Sequence, residues 1–396
     1  MSLKSKYDLC VIGGGPAGMM AAISASLKGK RVVLLEKNKS LGAKLLLTGG
    51  GKCNLTHANL SNKDFVSKFQ KQGDFLLSPL SVFGVKETME FFKELPLKVE
   101  LDGRVFPKSE KARDVLEFFK KRLKENKVKV LLEVETANFQ FKDGKIEKVV
   151  LRDKKEIFAD NFLIATGGKA YGYELPKSIG HTITELKPAL SPVQTKEKWV
   201  SILKGISLRE VGVSLNKSKS IKGDVLFTHF GLSGPLILNL SERIKPRDKI
   251  SIDLFPDKSI DDLNKNLLSL FEKDSKKTVK NVLSGLVSSK LLDIILNFSG
   301  INKDQISRNI KKEERRKLVK NLKKIEFNVV TVLGFEKAMV TKGGVSLKEI
   351  DSKTMRSKIM ENLYFAGEVI DLNGETGGFN LQMCFTTGFV AGKSIF

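Results

Sequence analysis

Tyr7-Asp8-Leu9-Cys10-Val11-Ile12-Gly13-Gly14-Gly15-Pro16-Ala17-Gly18 decides how this chain folds. The first six residues are mostly apolar and read as a buried strand; the glycines break it into a turn, and an alanine-rich segment to Leu27 reads as a helix. A second apolar run, Arg31 to Glu36, completes the order strand, turn, helix, strand. The glycines of Gly13-x-Gly15-x-x-Gly18 serve three different ends, namely a tight turn, backbone approach to a pyrophosphate, and close packing of helix on strand. Phosphate charge then rests on the unsatisfied N–H groups at the helix start, beside Pro16 and Ala17. Glu36, ending the second strand, is placed to accept hydrogen bonds from a ribose hydroxyl. The stretch reads as a dinucleotide cradle.

At 396 residues, two or three domains are expected, and 41% hydrophobic residues make the chain globular. Residues 9 to 27 are uncharged and follow Lys4 and Lys6, the outline of a signal peptide, but three glycines and Pro16 break the apolar helix such a peptide needs. No other stretch is long enough to span a bilayer. Cys10, Cys53 and Cys384 are too few and scattered for a disulfide framework, and no C-x-x-C pair exists. A reducing cytoplasm fits, and the disulfide-reductase class of flavoenzymes is excluded. Lysine and arginine number 69 against 45 acids, a net +24. The excess is mostly lysine spread along the chain. Its densest run, Lys311 to Lys324, reads as a helix with a solvated face and a core face, so a lysine-rich bias is favoured over a nucleic-acid partner.

Downstream, Lys44 precedes Thr48-Gly49-Gly50-Gly51-Lys52-Cys53-Asn54. Three consecutive glycines serve neither helix nor strand, and imply backbone pressed against something flat or anionic. A Walker-type loop is excluded, because Cys53 follows Lys52 and Leu46 stands where that pattern needs glycine. Lys44 is placed to touch a phosphate or a flavin edge, or is simply solvated. Cys53 reads as a small packing residue whose reactivity would require a depressed pKa. Residues 64 to 95 read as helices, Asp102-Gly103 as a hairpin turn, 110 to 126 as a helix, and 128 to 133 as a strand leading into a meander. Phe162-Leu163-Ile164-Ala165-Thr166-Gly167-Gly168 ends a buried strand, and ligands lie at strand carboxyl ends in doubly wound sheets.

Lys187 to Pro192 marks an exit from the first domain, which is assigned 1–190 and 341–396. Short strands and then helical periodicity from Ser259 to Lys324 read as an insertion, a small sheet with a helical cluster inside it. The turn Phe227 to Pro235 is read as joining strand to helix, and its His229 is a candidate for proton transfer, a buried structural histidine being the ordinary alternative. At the end, Asn362 to Glu368 is a strand closing on Gly367-Glu368, and Gly377-Gly378 precedes a helix, Phe379 to Lys393. Such a helix start aimed at an isoalloxazine ring stabilises the charge of the reduced form.

The chain resembles the bacterial NAD(P)/FAD-dependent oxidoreductases that include aminoacetone-oxidase-like and bile-acid-reductase-like members. The resemblance rests on Gly13 to Gly18, Lys44 to Asn54, Gly103 to Pro107, Phe227 to Pro235, Thr341 to Val345 and Tyr364 to Gln382, and covers almost the whole length. It implies an α/β, Rossmann-like, discontinuous FAD-binding domain of the glutathione-reductase type, with an inserted β-barrel-like domain (191–257 and 325–340) and a helical subdomain (258–324). Carried over by position, FAD contacts would be Gly13, Gly15, Pro16, Ala17, Gly18, Glu36, Lys37, Lys44, Gly49, Gly50, Gly51, Cys53, Asn54, a backbone group near Thr136, Ala165, Thr166, Gly167, Gly168, Gly367, Glu368, Gly378, Phe379, Asn380, Leu381 and Gln382. The expected function is an FAD-dependent oxidoreductase of a small organic substrate, its flavin reduced transiently by NAD(P)H. The rivals are a tRNA-modifying flavoprotein, suggested by the positive charge, and a flavin-binding module without turnover.

Overall fold

The computed structural model describes residues 7–168 and 170–396. It divides into two units, Met1–Pro188 with Val340–Phe396, and Ala189–Met339.

Unit 1 contains β1 (Tyr7–Ile12), α1 (Pro16–Ser26), β2 (Val32–Leu35), α2 (Ala112–Glu125), β3 (Lys129–Leu131), β4 (Thr136–Lys142), β5 (Lys145–Leu151), β6 (Glu156–Ile164), β7 (Leu363–Phe365) and α3 (Phe379–Lys393). Its sheet runs β3-β2-β1-β6-β5-β4, with β7 also on β6. The β3, β2, β1, β6 and β7 pairings are parallel, and β4 and β5 form an antiparallel extension. Parallel strands covered on both faces read as continuous apolar runs rather than alternating ones, and all four residues of β2 are buried. Register does the positioning: Ile12 pairs with Leu35 and Ile164, Ile164 with Phe365, and Leu35 with Leu131. The residues that follow these strand ends, Gly13, Glu36, Ala165 and Ala366, therefore emerge along one edge.

α1 carries no charged residue, and every position from Ala17 to Ala25 is buried. It can be sealed all round because α3 packs on it at backbone distance. A Cβ on Gly388 would fall onto the carbonyl oxygen of Ala17, and one on Gly392 onto that of Ala21. Residues four apart share a helix face, so these two glycines form a seam that fastens the last helix to the first.

The helices expected over 64–95 are four short pieces, Asn62–Val66, Ser67–Leu76 (3-10), Leu77–Val82 and Val85–Phe91. Gln70 at φ +56° breaks the run, and Gly73 packs where a Cβ would strike the carbonyl of Val66. The Asp143-Gly144 turn has the paired positive φ of a tight hairpin.

Unit 2 is a closed six-stranded barrel in the order Val193–Thr195, Gly231–Ser233, Ile221–Phe227, Ser207–Leu215, Lys249–Asp253, Ile325–Val332. Helices Ile260–Lys273, Ser289–Ser299 and Lys312–Lys323 lie between its last two strands in sequence. The helical stretch 258–324 shares one apolar core with the barrel: Leu263, Ile295 and Leu318 belong to the same cluster as Val225, Phe227 and Phe327. The turn after Phe227 departs from the expected strand-to-helix connection. It closes a hairpin onto Gly231–Ser233, and the helix Pro235–Leu240 starts only after Gly234, at φ +94°. Among the described residues no helix is long and apolar enough to cross a membrane.

Candidate functional site

At the end of β1, Gly13 adopts φ +111°, and a Cβ there would strike the carbonyl of Ala165 at the end of β6. A Cβ on Gly18 would fall onto the oxygen of Gly13, so turn, helix and two strands are in backbone contact. Gly15 is different: nothing lies within 4 Å of the place its Cβ would occupy. Gly15 is also the N-cap of α1, Pro16 follows it, and no side chain caps the helix. The first-turn N–H groups beside Ala17 and Gly18 are thus presented to an open space, as an anion requires.

Glu36 is buried and anchored. Its Oε2 accepts the N–H of Gly14 at 2.8 Å and its Oε1 that of Asn38 at 2.8 Å. Besides any ribose, this carboxylate holds the glycine turn in shape, a role its sequence position did not reveal. Lys37 follows it, exposed. Gly42 N–H donates to the oxygen of Gly14 at 2.9 Å, bringing the next loop alongside.

Lys44 does not present a free charge. Its Nζ lies 2.7 Å from Oε2 of Glu368, 324 positions away in the chain. Oε1 of Glu368 accepts the N–H of Thr341 at 2.8 Å, and Thr341 Oγ1 donates to the carbonyl of Gly168 at 2.6 Å. One network therefore joins the loop after β2, the loop after β6 and the returning C-terminal segment. Tyr173 closes it, its hydroxyl donating to the carbonyl of Glu368 at 3.4 Å. Burial, with the charges of Glu368 and Asp371, raises the pKa of that phenol.

Gly49, Gly50 and Gly51 have φ of +57°, +65° and +91°, a run of left-handed residues that only glycine adopts cheaply. Space at Gly50 and Gly51 is open to 4 Å, as it is at Gly167, φ +74°. Cys53 ends the loop at φ +62°, its N–H donating to Thr48 at 3.0 Å. Burial pushes its thiol up to about 12, with the hydrogen bond from Thr48 opposing, so Cys53 is a packing residue and not a thiolate. Oδ1 of the adjoining Asn54 and Oγ1 of Thr56 are buried without a partner.

In the last segment, Gly367 at φ +75° sits where a Cβ would be 2.7 Å from that of Ala17, and its N–H donates to Thr387 at 3.0 Å. Gly378 is the N-cap of α3 at φ +94°, with no side-chain cap and the carbonyl of Thr56 in the place of its missing Cβ. The side chains beyond it face the protein. Phe379 stacks on His57 at 5.3 Å and Asn380 bridges both backbone groups of Gly374. Leu381 is buried, while Gln382 donates to Gly84, Thr88 and Thr386 and keeps Oε1 buried and unpaired. Any grip on a ligand from Gly378 to Gln382 is through main-chain N–H groups.

One residue lies away from the position the sequence suggested. Thr136 opens β4 in register with Leu151, inside the meander. The backbone beside Glu36 is two residues earlier, where Val134 N–H donates to the carbonyl of Glu36 at 3.0 Å. His229, in unit 2, is exposed on the tight turn that Thr228 Oγ1 braces by accepting the N–H of Gly231 at 3.1 Å. It is therefore not a buried structural histidine.

Sequence reasoning missed a third cluster in unit 1. His181 Nε2 is 2.9 Å from Ser357 Oγ and its Nδ1 is 3.0 Å from Glu349 Oε2. The order imitates a hydrolytic triad. Ser357, however, is buried and accepts the N–H groups of Ile359 and Met360, at 3.0 and 2.9 Å, so its hydroxyl hydrogen goes to Nε2 and its lone pairs are spent. The cluster is a clamp around a neutral imidazole, whose pKa burial lowers against the opposing pull of Glu349. Above pH 6.5 the histidine is neutral folded and unfolded; below it only the unfolded chain takes the proton. Stability is therefore expected to fall as pH drops below 6.5. Urea unfolding between pH 7.5 and 5.5 checks this, and a His181→Asn variant should lose that slope.

Uncapped starts of α1 and α3, open faces at Gly15, Gly50, Gly51 and Gly167, and unpartnered Asn54 and Thr56 oxygens fit a long ligand with an anionic middle and a planar end. FAD is such a ligand, and fold and site together define an FAD-dependent oxidoreductase. The chain belongs to the HI0933-like family, whose Rossmann-domain model matches residues 7–394. It is 30% identical to the 3-dehydro-bile acid delta(4,6)-reductase of Clostridium scindens, over 97% of this chain and 98% of that one. It is also 30% identical to the ribosomal RNA dihydrouridine synthase of Haemophilus influenzae, over 97% of each. Among solved structures, a 3-ketosteroid-delta4-(5alpha)-dehydrogenase from Rhodococcus jostii matches with a TM-score of 0.55 at 14% identity, covering 100% of this chain and 98% of that one. A flavocytochrome c3 fumarate reductase matches with a TM-score of 0.55 at 16% identity, covering 99% and 78%.

Proposed function

We propose that this enzyme saturates a carbon–carbon double bond conjugated to a carbonyl in a small organic molecule, and that NAD(P)H supplies the electrons. FAD, when bound, would supply the hydride-transfer chemistry. The reading is supported by what the two 30% relatives share: a delta(4,6)-reductase of a 3-oxo steroid and a dihydrouridine synthase both saturate a ring bond conjugated with a carbonyl. The structural observation that carries its cofactor is a pair of uncapped helix starts, that of α1 at Gly15 and that of α3 at Gly378, in one unit. The first turn of α1 would hold the pyrophosphate, Glu36 a ribose hydroxyl, Val134 an adenine edge through its backbone, and the 49–54 loop with the start of α3 the ring portion. The positive end of α3 would favour the anionic reduced ring. Mixing the oxidised holoprotein anaerobically with NADH or NADPH should bleach the flavin, and a cyclic enone should restore its colour. Failure of an enone to reoxidise chemically reduced enzyme would remove the reading.

A second reading is supported by the ribosomal RNA dihydrouridine synthase relative: the reduced bond is that of a uridine within RNA. It predicts dihydrouridine in RNA treated with the reduced enzyme, and binding that weakens steeply with salt.

A further inference from the structure

Trp199 is the only tryptophan of the chain, and it is not sealed in the core. Its inner side meets the fully buried Phe327, with ring centroids 5.4 Å apart; its other neighbour is Phe298 at 5.6 Å, with the planes at 73°. Phe298 is 48% exposed, and Ile202, on the same short helix as Trp199, is 57% exposed. The core thus fixes one ring and leaves a second aromatic surface beside it in water.

The exposed charge of this segment is positive. Lys196, Lys198 and Lys204 flank Trp199 in the sequence, all are exposed, and none forms an ion pair among the described residues. Glu197, the acid of this segment, is turned to the barrel, where its Oε1 accepts the backbone N–H and side-chain amide of Asn328 at 3.0 and 2.8 Å. An immobilised aromatic surface flanked by unpaired cations is the combination with which proteins hold single-stranded nucleic acid. The π-face stacks a base and the cations take phosphates, whereas a steroid-sized substrate has no use for three lysines. We propose that this face of unit 2 is a docking platform for single-stranded RNA. Phe298 and Trp199 take a base, and Lys196, Lys198 and Lys204 the flanking phosphates. The proposal rests on the second reading above and names the surface that reading needs.

A single tryptophan at the platform makes the test direct. Titrating the holoprotein with an unstructured oligouridylate should quench Trp199 emission, and added salt should restore it; inorganic polyphosphate of equal charge should bind without quenching. With a labelled oligonucleotide followed by anisotropy, Phe298→Ala should weaken binding about tenfold. Phe298→Tyr and Trp199→Phe should retain affinity. Lys196→Glu/Lys198→Glu/Lys204→Glu should cost more than about 10²-fold and flatten the salt dependence. FAD content and melting temperature equal to the parent's show that the variants are folded. Equal quenching by polyphosphate, or parental RNA affinity in Phe298→Ala and the triple variant, overturns the platform. If RNA is converted to its dihydrouridine form while these variants remain indifferent, the platform falls and the RNA reading stands. If the platform behaves as described while only free enones are reduced, the platform stands and the RNA reading falls.

Discussion

A Gly18→Val variant is expected to purify without colour, and a Gly15→Ala variant to purify as a stable protein that has lost most of its FAD. The two glycines stand three residues apart and answer to different constraints. Gly18 faces protein: its missing Cβ would overlap the carbonyl of Gly13, which is itself held by Ala165, so an added side chain must push α1 away from β1 and β6. Overpacking of this kind costs about 1–3 kcal/mol or more, and the distortion falls on the turn itself. Gly15 faces open space at φ −80°, a conformation alanine accepts. Its N-cap substitution costs the apoprotein about 1 kcal/mol or less, while the methyl group enters the volume reserved for the pyrophosphate. Flavin released per mole of protein, set beside urea unfolding of the apoprotein, separates the cases. A Gly15→Ala protein with a full complement of FAD would refute the assignment of that space.

The second large effect is expected at the seam between the first and last helices. Gly388→Val and Gly392→Val each place a branched side chain onto a carbonyl of α1, of Ala17 and Ala21 respectively. Neither helix can yield easily, because α1 is buried from Ala17 to Ala25 and α3 is buried over most of its length. A loss of about 3 kcal/mol or more is expected for each. FAD retention should fall with it, since displacing α3 moves its uncapped start at Gly378. The two losses should not add, because both variants lift the same helix off the same partner. Denaturant unfolding of the singles and the double checks this.

Both effects depend on glycines, and they differ in how legible they are. The Gly13 to Gly18 pattern announces itself because strand, turn and helix are adjacent in sequence. Gly388 and Gly392 carry the same kind of close contact, but against a helix more than 360 positions away, and no local signal names that partner. Likewise Lys44 and Glu368 each stand out in the sequence alone, Lys44 with a solvated alternative. Only the fold shows them 2.7 Å apart. Cys53 is placed by its sequence beside a suggestive loop, and its burial, which raises the thiol to about 12, is a tertiary property. Residue order points to Thr136 rather than Val134 because the length of the link after β3 is set by its hydrogen bonds to Glu36 and Asn38, not by residue type. The His181 clamp draws on residues up to 176 positions apart, none unusual in its own neighbourhood.

Local chemistry was therefore enough for this protein's class: apolar runs, glycine turns and an acid at a strand end dictate a dinucleotide fold, because those interactions close within some thirty residues. The circuit joining the two chain ends, the pairing of its charges, the orientation of the Phe379 to Gln382 side chains and the exposure of Trp199 beside Phe298 were decided by the tertiary structure alone. These depend on which distant surfaces exclude water from one another, and that is a property of packing, which residue order expresses only once the chain has folded.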